Sequence, residues 1–367
     1  MTTKPTILMA GGGTGGHVYP GIALARELQQ QRDVDIQWVG THDRVESWAV
    51  PHAGYPIEFL DVQFLKGKTG LARLAALARL PKALWDAFCL LRKHKPSAVI
   101  GLGGFVSGPI CLVAGLLRKK VYLLEQNAHA GWTNRINGKV ATRVFATFEA
   151  SRQYFPQHKV EVLGNPIRPG LIESVETKKE AQGDAESDRP LNVLVVGGSQ
   201  GSGTLNTQLP KQLLALYDEG LRFSVKHASG KNRAQEVVPE YESAAFPVEI
   251  IEYIDDMDEA YAWADVLVCR AGATTVSELT AIGLPAVYVP FPFAADDHQT
   301  ANAQSMVDAD AGWMIADKDL GTSLGLTTLR GILCDRAALS RVSAHAKALG
   351  KSDAGAIIAA RILEDIA

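Results

Sequence analysis

Ile7-Leu8-Met9-Ala10-Gly11-Gly12-Gly13-Thr14-Gly15-Gly16 lies near the start of the chain, and Val193-Leu194-Val195-Val196-Gly197-Gly198-Ser199-Gln200-Gly201 starts its second half. Each is a short apolar, β-branched run that breaks into glycines before a helical stretch, as a strand does when it feeds a βα turn of Rossmann type. Working outward from the first, similar runs fall at 36–40, 98–102, 121–124 and 143–146; outward from the second, at 223–227, 248–252, 266–269 and 286–290. Strands alternating with helical stretches specify an α/β protein with parallel sheets, and the repeated opening specifies two of them. A length of 367 residues exceeds what one core normally fills and agrees with two domains. Residues 173–190, rich in Glu, Lys, Asp, Gln, Gly and Ser, read as a linker or a mobile insertion.

Composition narrows the function classes. A net charge of -3 gives no global reason to expect nucleic acid, because duplex binders carry a basic excess. Cys89, Cys111, Cys269 and Cys334 are far apart and form no C-x-x-C pair, which argues against a zinc site or a disulfide framework. The N-terminal stretch lacks the apolar core of a signal peptide, and the longest apolar stretch, 110–117, falls short of the ~20 residues of a membrane span. The chain is expected to stay inside the cell and not to cross the membrane.

The glycine loops carry the chemistry. In the first, backbone N–H groups and the following helix start suit a phosphate or pyrophosphate. The loop contains G-x-G-x-x-G (Gly11, Gly13, Gly16) with Asp33 and Asp35 about 20 residues on, so a nicotinamide-dependent oxidoreductase is one reading. It also nearly matches a nucleotide-triphosphatase loop, but His17 stands where the lysine would be. His17 is either a base that accepts a proton from a hydroxyl or a residue that shapes the loop. The cluster 101–109 reads first as a strand-to-helix turn and second as another anion cradle.

In the second half, 266–278 is a strand, a small-residue turn and a helix start. Glu278 could take both ribose hydroxyls of a nucleotide, while Thr275-x-x-Glu278 also reads as a capping box. Gln299 both donates and accepts, which suits sugar hydroxyls, against a plain solvated loop. Arg168 is a phosphate clamp or a surface ion pair. Asp256-x-Asp258 resembles a metal-binding D-x-D but reads better as a helix start, and no protein-held metal is expected.

Residues 66–95 hold eight basic residues against one acid, Asp86, in a chain of negative net charge. Leu71, Leu74, Leu77, Leu80, Leu84, Trp85, Phe88 and Leu91 are interleaved, broken by Pro81. Most of these leucines are expected in the core, and the basic rim, with Phe64 and Leu65, on an anionic membrane surface. That segment also motivates a non-catalytic alternative, a membrane-docked nucleotide-binding scaffold.

Seven motifs in order, GGTGGHVYP (12–20), GGFVSGP (103–109), EQN (125–127), GNPIR (164–168), VVGGSQG (195–201), IDDM (254–257) and AGATTVSE (271–278), span nearly the whole chain. Together they resemble the peptidoglycan N-acetylglucosaminyltransferases of glycosyltransferase family 28. The resemblance implies a GT-B fold of two Rossmann-like domains whose parallel sheets face a central cleft. It gives residues 1–165 as the acceptor and membrane-association domain with helix 353–367 returning to it, 166–190 as hinge, and 191–352 as the UDP-GlcNAc-binding domain. It implies transfer of GlcNAc from UDP-GlcNAc to the MurNAc C4 hydroxyl of lipid I with inversion, without a cofactor, at the cytoplasmic face of the bacterial inner membrane, alongside cell-wall synthesis and division proteins.

By motif match it assigns Ile254 to uracil, Glu278 to ribose, and Ser199 with Ala273, Thr274, Thr275, Val276 and Ser277 to the pyrophosphate. Gln299 is assigned to the sugar, with Arg168, Asn127, Thr14, Gly15 and Gly16 as further donor contacts and His17 as catalytic base. His298 departs from the pattern, since some members have a second glutamine there, and so does the acidic insertion at 183–188.

Overall fold

A computed structural model describes residues 4–62, 80–182, 189–198 and 200–367. The chain divides into two compact units, one of residues 1–169 with 351–367 and the other of residues 170–350.

The first unit holds β1 (Thr6–Gly11), β2 (Asp35–Gly40), β3 (Ile57–Phe59), β4 (Ala98–Gly103), β5 (Lys120–Glu125), β6 (Arg143–Ala146) and β7 (Val160–Val162). They form one parallel sheet in the order β3-β2-β1-β4-β5-β6-β7. Alternation along β1 explains why both faces are covered: Ile7 and Met9 enter one buried cluster, Leu8 and Ala10 another. Helix Gly15–Gln31 lies close on the sheet because Gly21 has no side chain; a Cβ there would meet Leu102 at 2.5 Å and Trp38 at 2.6 Å.

Helix Ala354–Asp365 completes the same core through Ile358, Ala359, Ile362 and Leu363. Its end is latched by Asp365, which accepts from Arg143 Nε at 2.8 Å, Arg143 Nη2 at 3.1 Å and the Tyr122 hydroxyl at 3.1 Å. These donors hold the Asp365 carboxyl below the usual range.

The second unit holds β8 (Leu191–Val196), β9 (Phe223–Ala228), β10 (Val248–Ile251), β11 (Val266–Cys269), β12 (Ala286–Tyr288) and β13 (Trp313–Met314), parallel in the order β10-β9-β8-β11-β12-β13. In both sheets the order reverses beside the first strand of the unit, which places the loops after β1 and β4, and after β8 and β11, side by side at the carboxyl ends.

Three strands escape the sequence pattern: β3, β7 and β13. Each is two or three residues long and lies at a sheet edge, where there is little to bury and so little apolar signal. The linker reading of 173–190 also needs correction. Leu171–Gln182 is a helix that packs against helices Met257–Trp263 and Ala273–Ile282, with Leu171 and Val175 buried one turn apart. Its polar residues form the outer face of a helix with a narrow apolar stripe.

Candidate functional site

On the first unit the β1 loop is pinned from two sides. Trp38 Nε1 donates to the Gly11 carbonyl at 3.0 Å. Glu46, fully buried, accepts from Gly13 N at 2.8 Å, from Thr41 N at 3.0 Å and from Thr41 Oγ1 at 2.6 Å. A Cβ on Gly12 would lie 2.1 Å from the Glu46 carboxyl carbon, so only glycine admits this contact.

Thr14 is the N-cap of helix Gly15–Gln31 and makes no side-chain cap bond; the first turn carries no acid. The N–H groups of Gly15 and Gly16 therefore mark a helix start suited to an anion. Gly13 does not contribute, since its N–H is committed to a carboxylate. The anion-cradle reading thus shrinks to the helix start itself.

His17, half-buried, has Nδ1 3.1 Å from the Gly12 carbonyl and 3.4 Å from Thr14 Oγ1. A carbonyl only accepts, so Nδ1 carries the proton and Nε2 is the basic nitrogen of the neutral ring. Its ring lies over Gly103, whose φ is +95° and where a Cβ would meet Cδ2 and Nε2 at 2.9 Å. Gly104, at φ +78°, faces the Gly12 carbonyl, which a Cβ would approach to 2.6 Å. The 101–109 cluster is therefore a strand-to-helix turn that abuts the first loop, as helix Gly104–Leu116 begins directly after β4.

Asn127 sits beyond β5, its N–H donating to Glu125 Oε1 at 3.0 Å. Glu125 is buried and also accepts from Gly131 N at 3.1 Å and Asn134 Nδ2 at 3.0 Å; burial pushes its carboxyl up to about 7 despite these donors. Gln126 Nε2 donates to the Leu102 carbonyl at 3.0 Å, tying this turn to the end of β4. Arg168 follows β7 near the end of the unit's main segment.

On the second unit, β8 runs into Gly197 and Gly198, the latter at φ +89°, and Gly201 at φ +68°. Ser199 lies outside the described residues. Helix Gly203–Asp218 starts at Ser202, whose Oγ accepts from Leu205 N at 3.3 Å and from Arg270 Nη2 at 2.5 Å. Arg270 Nη1 also donates to Asp317 Oδ1 at 2.5 Å and to the carbonyls of Val289 at 3.0 Å and Pro290 at 3.1 Å. One guanidinium thus joins the ends of β8, β12 and β13. Sequence reading missed it, as it missed Glu46, because the contacts that give them meaning, to Ser202, Asp317 and Gly13, lie tens of residues away.

Helix Ala273–Ile282 begins behind Gly272 with no side-chain cap and no acid in its first turn, so Ala273, Thr274 and Thr275 present a helix start with unsatisfied N–H groups. The capping-box alternative for Thr275 and Glu278 is overturned, because the N-cap is Gly272 and Thr275 is already inside the helix. Glu278 instead receives the Tyr261 hydroxyl at 2.9 Å. Val276 is buried in the helix, and Ser277 Oγ turns back to the Ala273 carbonyl at 2.8 Å.

Ile254, half-buried, lies in the loop between β10 and helix Met257–Trp263. Asp256 caps that helix by accepting from Glu259 N at 2.9 Å and pairs with Lys178 at 2.6 Å, which suits the helix-start reading. Gln299 Oε1 accepts from Ala271 N at 3.2 Å and Phe291 N at 2.9 Å, so its oxygen is committed and any further role falls to its amide N–H groups as donors. Among the described residues no group of three or more His, Cys, Asp or Glu is arranged to hold a metal.

The solvated-loop alternative for Gln299 therefore fails, and the predicted residues separate into two sets. Thr14, Gly15, Gly16, His17 and Asn127 lie at the carboxyl edge of the first sheet, with Arg168 farther along the unit. Ile254, 273–278 and Gln299 lie at the carboxyl edge of the second.

Comparison with known proteins matches both units to one family. Residues 7–146 match the glycosyltransferase family 28 N-terminal domain, and residues 192–358 the family's C-terminal domain. The UDP-N-acetylglucosamine–N-acetylmuramyl-(pentapeptide) pyrophosphoryl-undecaprenol N-acetylglucosamine transferase of Anaeromyxobacter sp. (strain Fw109-5) is 43% identical over 354 residues, 96% of this chain and 91% of that protein. The transferase of the same name from Alkalilimnicola ehrlichii is 40% identical over 363 residues, 99% of each. The crystal structure of Acinetobacter baumannii MurG aligns at 31% identity with a TM-score of 0.81, covering 98% of this chain and 99% of that one. The fold is accordingly of the GT-B class, and the chain belongs to glycosyltransferase family 28, in its MurG branch of hexosyltransferases.

Proposed function

We infer that the chain transfers N-acetylglucosamine from UDP-GlcNAc to the C4 hydroxyl of MurNAc in lipid I, giving lipid II and UDP for peptidoglycan synthesis. The observation that carries this reading is an identity of 36% to 43% with transferases of that name along nearly the full chain.

The second unit holds the donor. The helix start at Ala273–Thr275, with Val276, Ser277 and Ser199, takes the pyrophosphate through backbone N–H groups. Glu278 accepts the ribose hydroxyls, Ile254 meets uracil through its backbone, and Gln299 donates to a sugar oxygen. Thr14, Gly15, Gly16, Asn127 and Arg168 of the first unit add donor contacts. Lipid I is taken by the first unit, with its pyrophosphate near the start of helix Gly15–Gln31. His17 Nε2 removes the proton from the C4 hydroxyl as it attacks C1, and charge on the departing UDP is met by the Ala273 helix start and Arg168.

The first unit also meets the membrane. Helix Leu80–His94 buries Ala83, Ala87 and Leu91 but leaves Trp85 64% exposed, stacked on Phe88 at 5.6 Å. Lys82, Arg92, Lys93 and Lys95 flank this aromatic pair, a pattern suited to an anionic lipid surface on the cytoplasmic side. Residues 63–79 lie outside the described residues, and with them Phe64, Leu65 and the part of the basic run that precedes Pro81. No described helix is long and apolar enough to cross a membrane.

Two measurements test this reading. UDP should raise the melting temperature and NAD should not, by linkage of binding to folding. With UDP-GlcNAc and a short-chain lipid I analogue, His17→Ala should lose kcat by about 100-fold or more while KM for the donor stays near its original value. Stabilisation by NAD alone, or no UDP release from the unaltered protein, would sink it.

A further inference from the structure

We propose that Glu46 acts on His17 through the Gly12–Gly13 peptide, forming an acid–histidine couple in which a backbone amide takes the place of direct contact. The proposal rests on the reading of His17 as the base. It concerns a positioning residue that touches neither substrate.

The Gly13 N–H that donates to Glu46 Oε2 at 2.8 Å and the Gly12 carbonyl that accepts from His17 Nδ1 at 3.1 Å belong to one peptide unit. Among the described residues no peptide bond is cis. In a trans unit the N–H and C=O point in opposite directions, so a carboxylate that fixes one end aims the other. The line of groups is therefore carboxylate, N–H, C=O, Nδ1–H, and finally the basic nitrogen Nε2.

Two effects follow. The first is geometric: with the carbonyl aimed at Nδ1, the neutral ring is held in the tautomer that leaves Nε2 unprotonated, as a base requires. The second is electronic. A carboxylate on the N–H polarises the amide and makes its carbonyl a stronger acceptor, because linked hydrogen bonds reinforce one another in a low-dielectric setting. That stabilises the imidazolium and raises the basicity of Nε2.

The surroundings are shaped for this arrangement alone. A Cβ on Gly12 would overlap the Glu46 carboxyl group, a Cβ on Gly104 would press on the Gly12 carbonyl, and a Cβ on Gly103 would strike the imidazole. Three glycines thus clear space around one peptide and one ring. Glu46 is fully buried and is held on its other oxygen by the N–H and hydroxyl of Thr41, so it has little freedom to turn away. It also walls a cavity of about 250 Å³ shared with Gly12, Gly13, Asp43, Arg44 and Phe105. Asp43 and Arg44 carry opposite charges at exposed positions, where solvent screens them, so the buried Glu46 carboxylate dominates the field on this peptide.

The experiment compares Glu46→Gln and Thr41→Val in the full-length protein, reading the pH dependence of kcat and the ¹⁵N spectrum of the His17 ring. Glu46→Gln keeps size but removes the charge, and its NH2 end cannot accept, so only one of the two oxygens that now receive Gly13 and Thr41 is retained. The expected result is a loss of about tenfold in kcat, the low end of what metal-bound histidines show when their outer-shell partner is removed. KM for UDP-GlcNAc should not change. The acid limb of the kcat profile and the His17 titration should both move to lower pH, with less of the neutral ring protonated at Nδ1.

Thr41→Val leaves the carboxylate but takes away its 2.6 Å hydroxyl donor, so Glu46 presses harder on Gly13. Both readings should then move the other way, to higher pH. This opposite sign keeps the proposal open to refutation even if Glu46→Gln does not fold. Shifts in the His17 spectrum without a change in the kcat profile would uphold the coupling and refute His17 as the base. An unchanged His17 tautomer and titration in both variants would overturn the proposal itself.

Discussion

Gly103 carries a test of the site on a single methyl group. Its φ of +95° is open to glycine and strained for alanine, and an added Cβ would sit 2.9 Å from the imidazole of His17. Gly103→Ala should therefore cost roughly 1–3 kcal/mol in stability from strain alone. It should also displace the ring, so kcat falls while UDP still stabilises the protein against heat. An unchanged kcat in a folded Gly103→Ala protein would show that the ring position is irrelevant to turnover. Residues of this kind were half legible. Glycines after an apolar run announce a turn, and a histidine beside them is noticed at once, because both signals are local; whether that histidine shapes the loop or serves as a base is not. Glu46 was not legible, since its contact with Gly13 spans 33 residues and helix Glu46–His52 looks ordinary by itself. Gln299 was legible as a polar residue after an apolar strand but not as a brace between Ala271 and Phe291, which only the folded backbone brings to it.

Elements show where periodicity speaks and where it is silent. Central strands are buried on both faces and read as apolar runs, while two- and three-residue edge strands give no such run. Helix Leu171–Gln182 was hidden by its composition, and its buried contacts make a clear prediction. Leu171→Ala should destabilise the second unit by about 2–5 kcal/mol, the usual result of emptying a packed site; a true linker would tolerate the change, so an unaltered melting temperature would restore the linker reading. For helix Leu80–His94 the prediction concerns lipid. Changing Lys82, Arg92 and Lys95 to Glu, or Trp85 to Ala, should weaken binding to anionic vesicles, and the charge changes should flatten its salt dependence. Unaltered vesicle binding by all four variants would return this face to a simple solvated role.

The whole molecule was legible at its coarsest level because the chain states its plan twice, with the strand-to-glycine opening repeated and the strand order mirrored in each sheet. Each unit also buries a group that titrates near neutral pH, and the two oppose folding in opposite pH directions. In the second unit His227 is fully buried between the Tyr241 hydroxyl and Asn206, each at 3.2 Å, and burial lowers its pKa from the ordinary 6.5 to about 4. Below pH 6.5 the unfolded chain takes up a proton that the folded one refuses, so stability falls as pH drops toward 4, by up to about 3 kcal/mol. In the first unit Glu125 runs the other way. Its pKa rises from 4.5 to about 7, the folded state keeps a proton that the unfolded one gives up, and stability falls as pH rises through that interval. Between pH 4.5 and 6.5 the two slopes have opposite sign and similar size, so their sum is nearly flat. The depressed carboxyls of Glu58 and Asp365 lose their protection only at lower pH. Single variants should uncover each slope in urea unfolding of the full-length protein. His227→Gln should leave a protein that gains stability on acidification from pH 6.5 to 4.5, and Glu125→Gln one that loses it over the same range, whatever either change does to stability at pH 7. Parallel pH profiles for the two variants would show that these buried groups do not set the acid response.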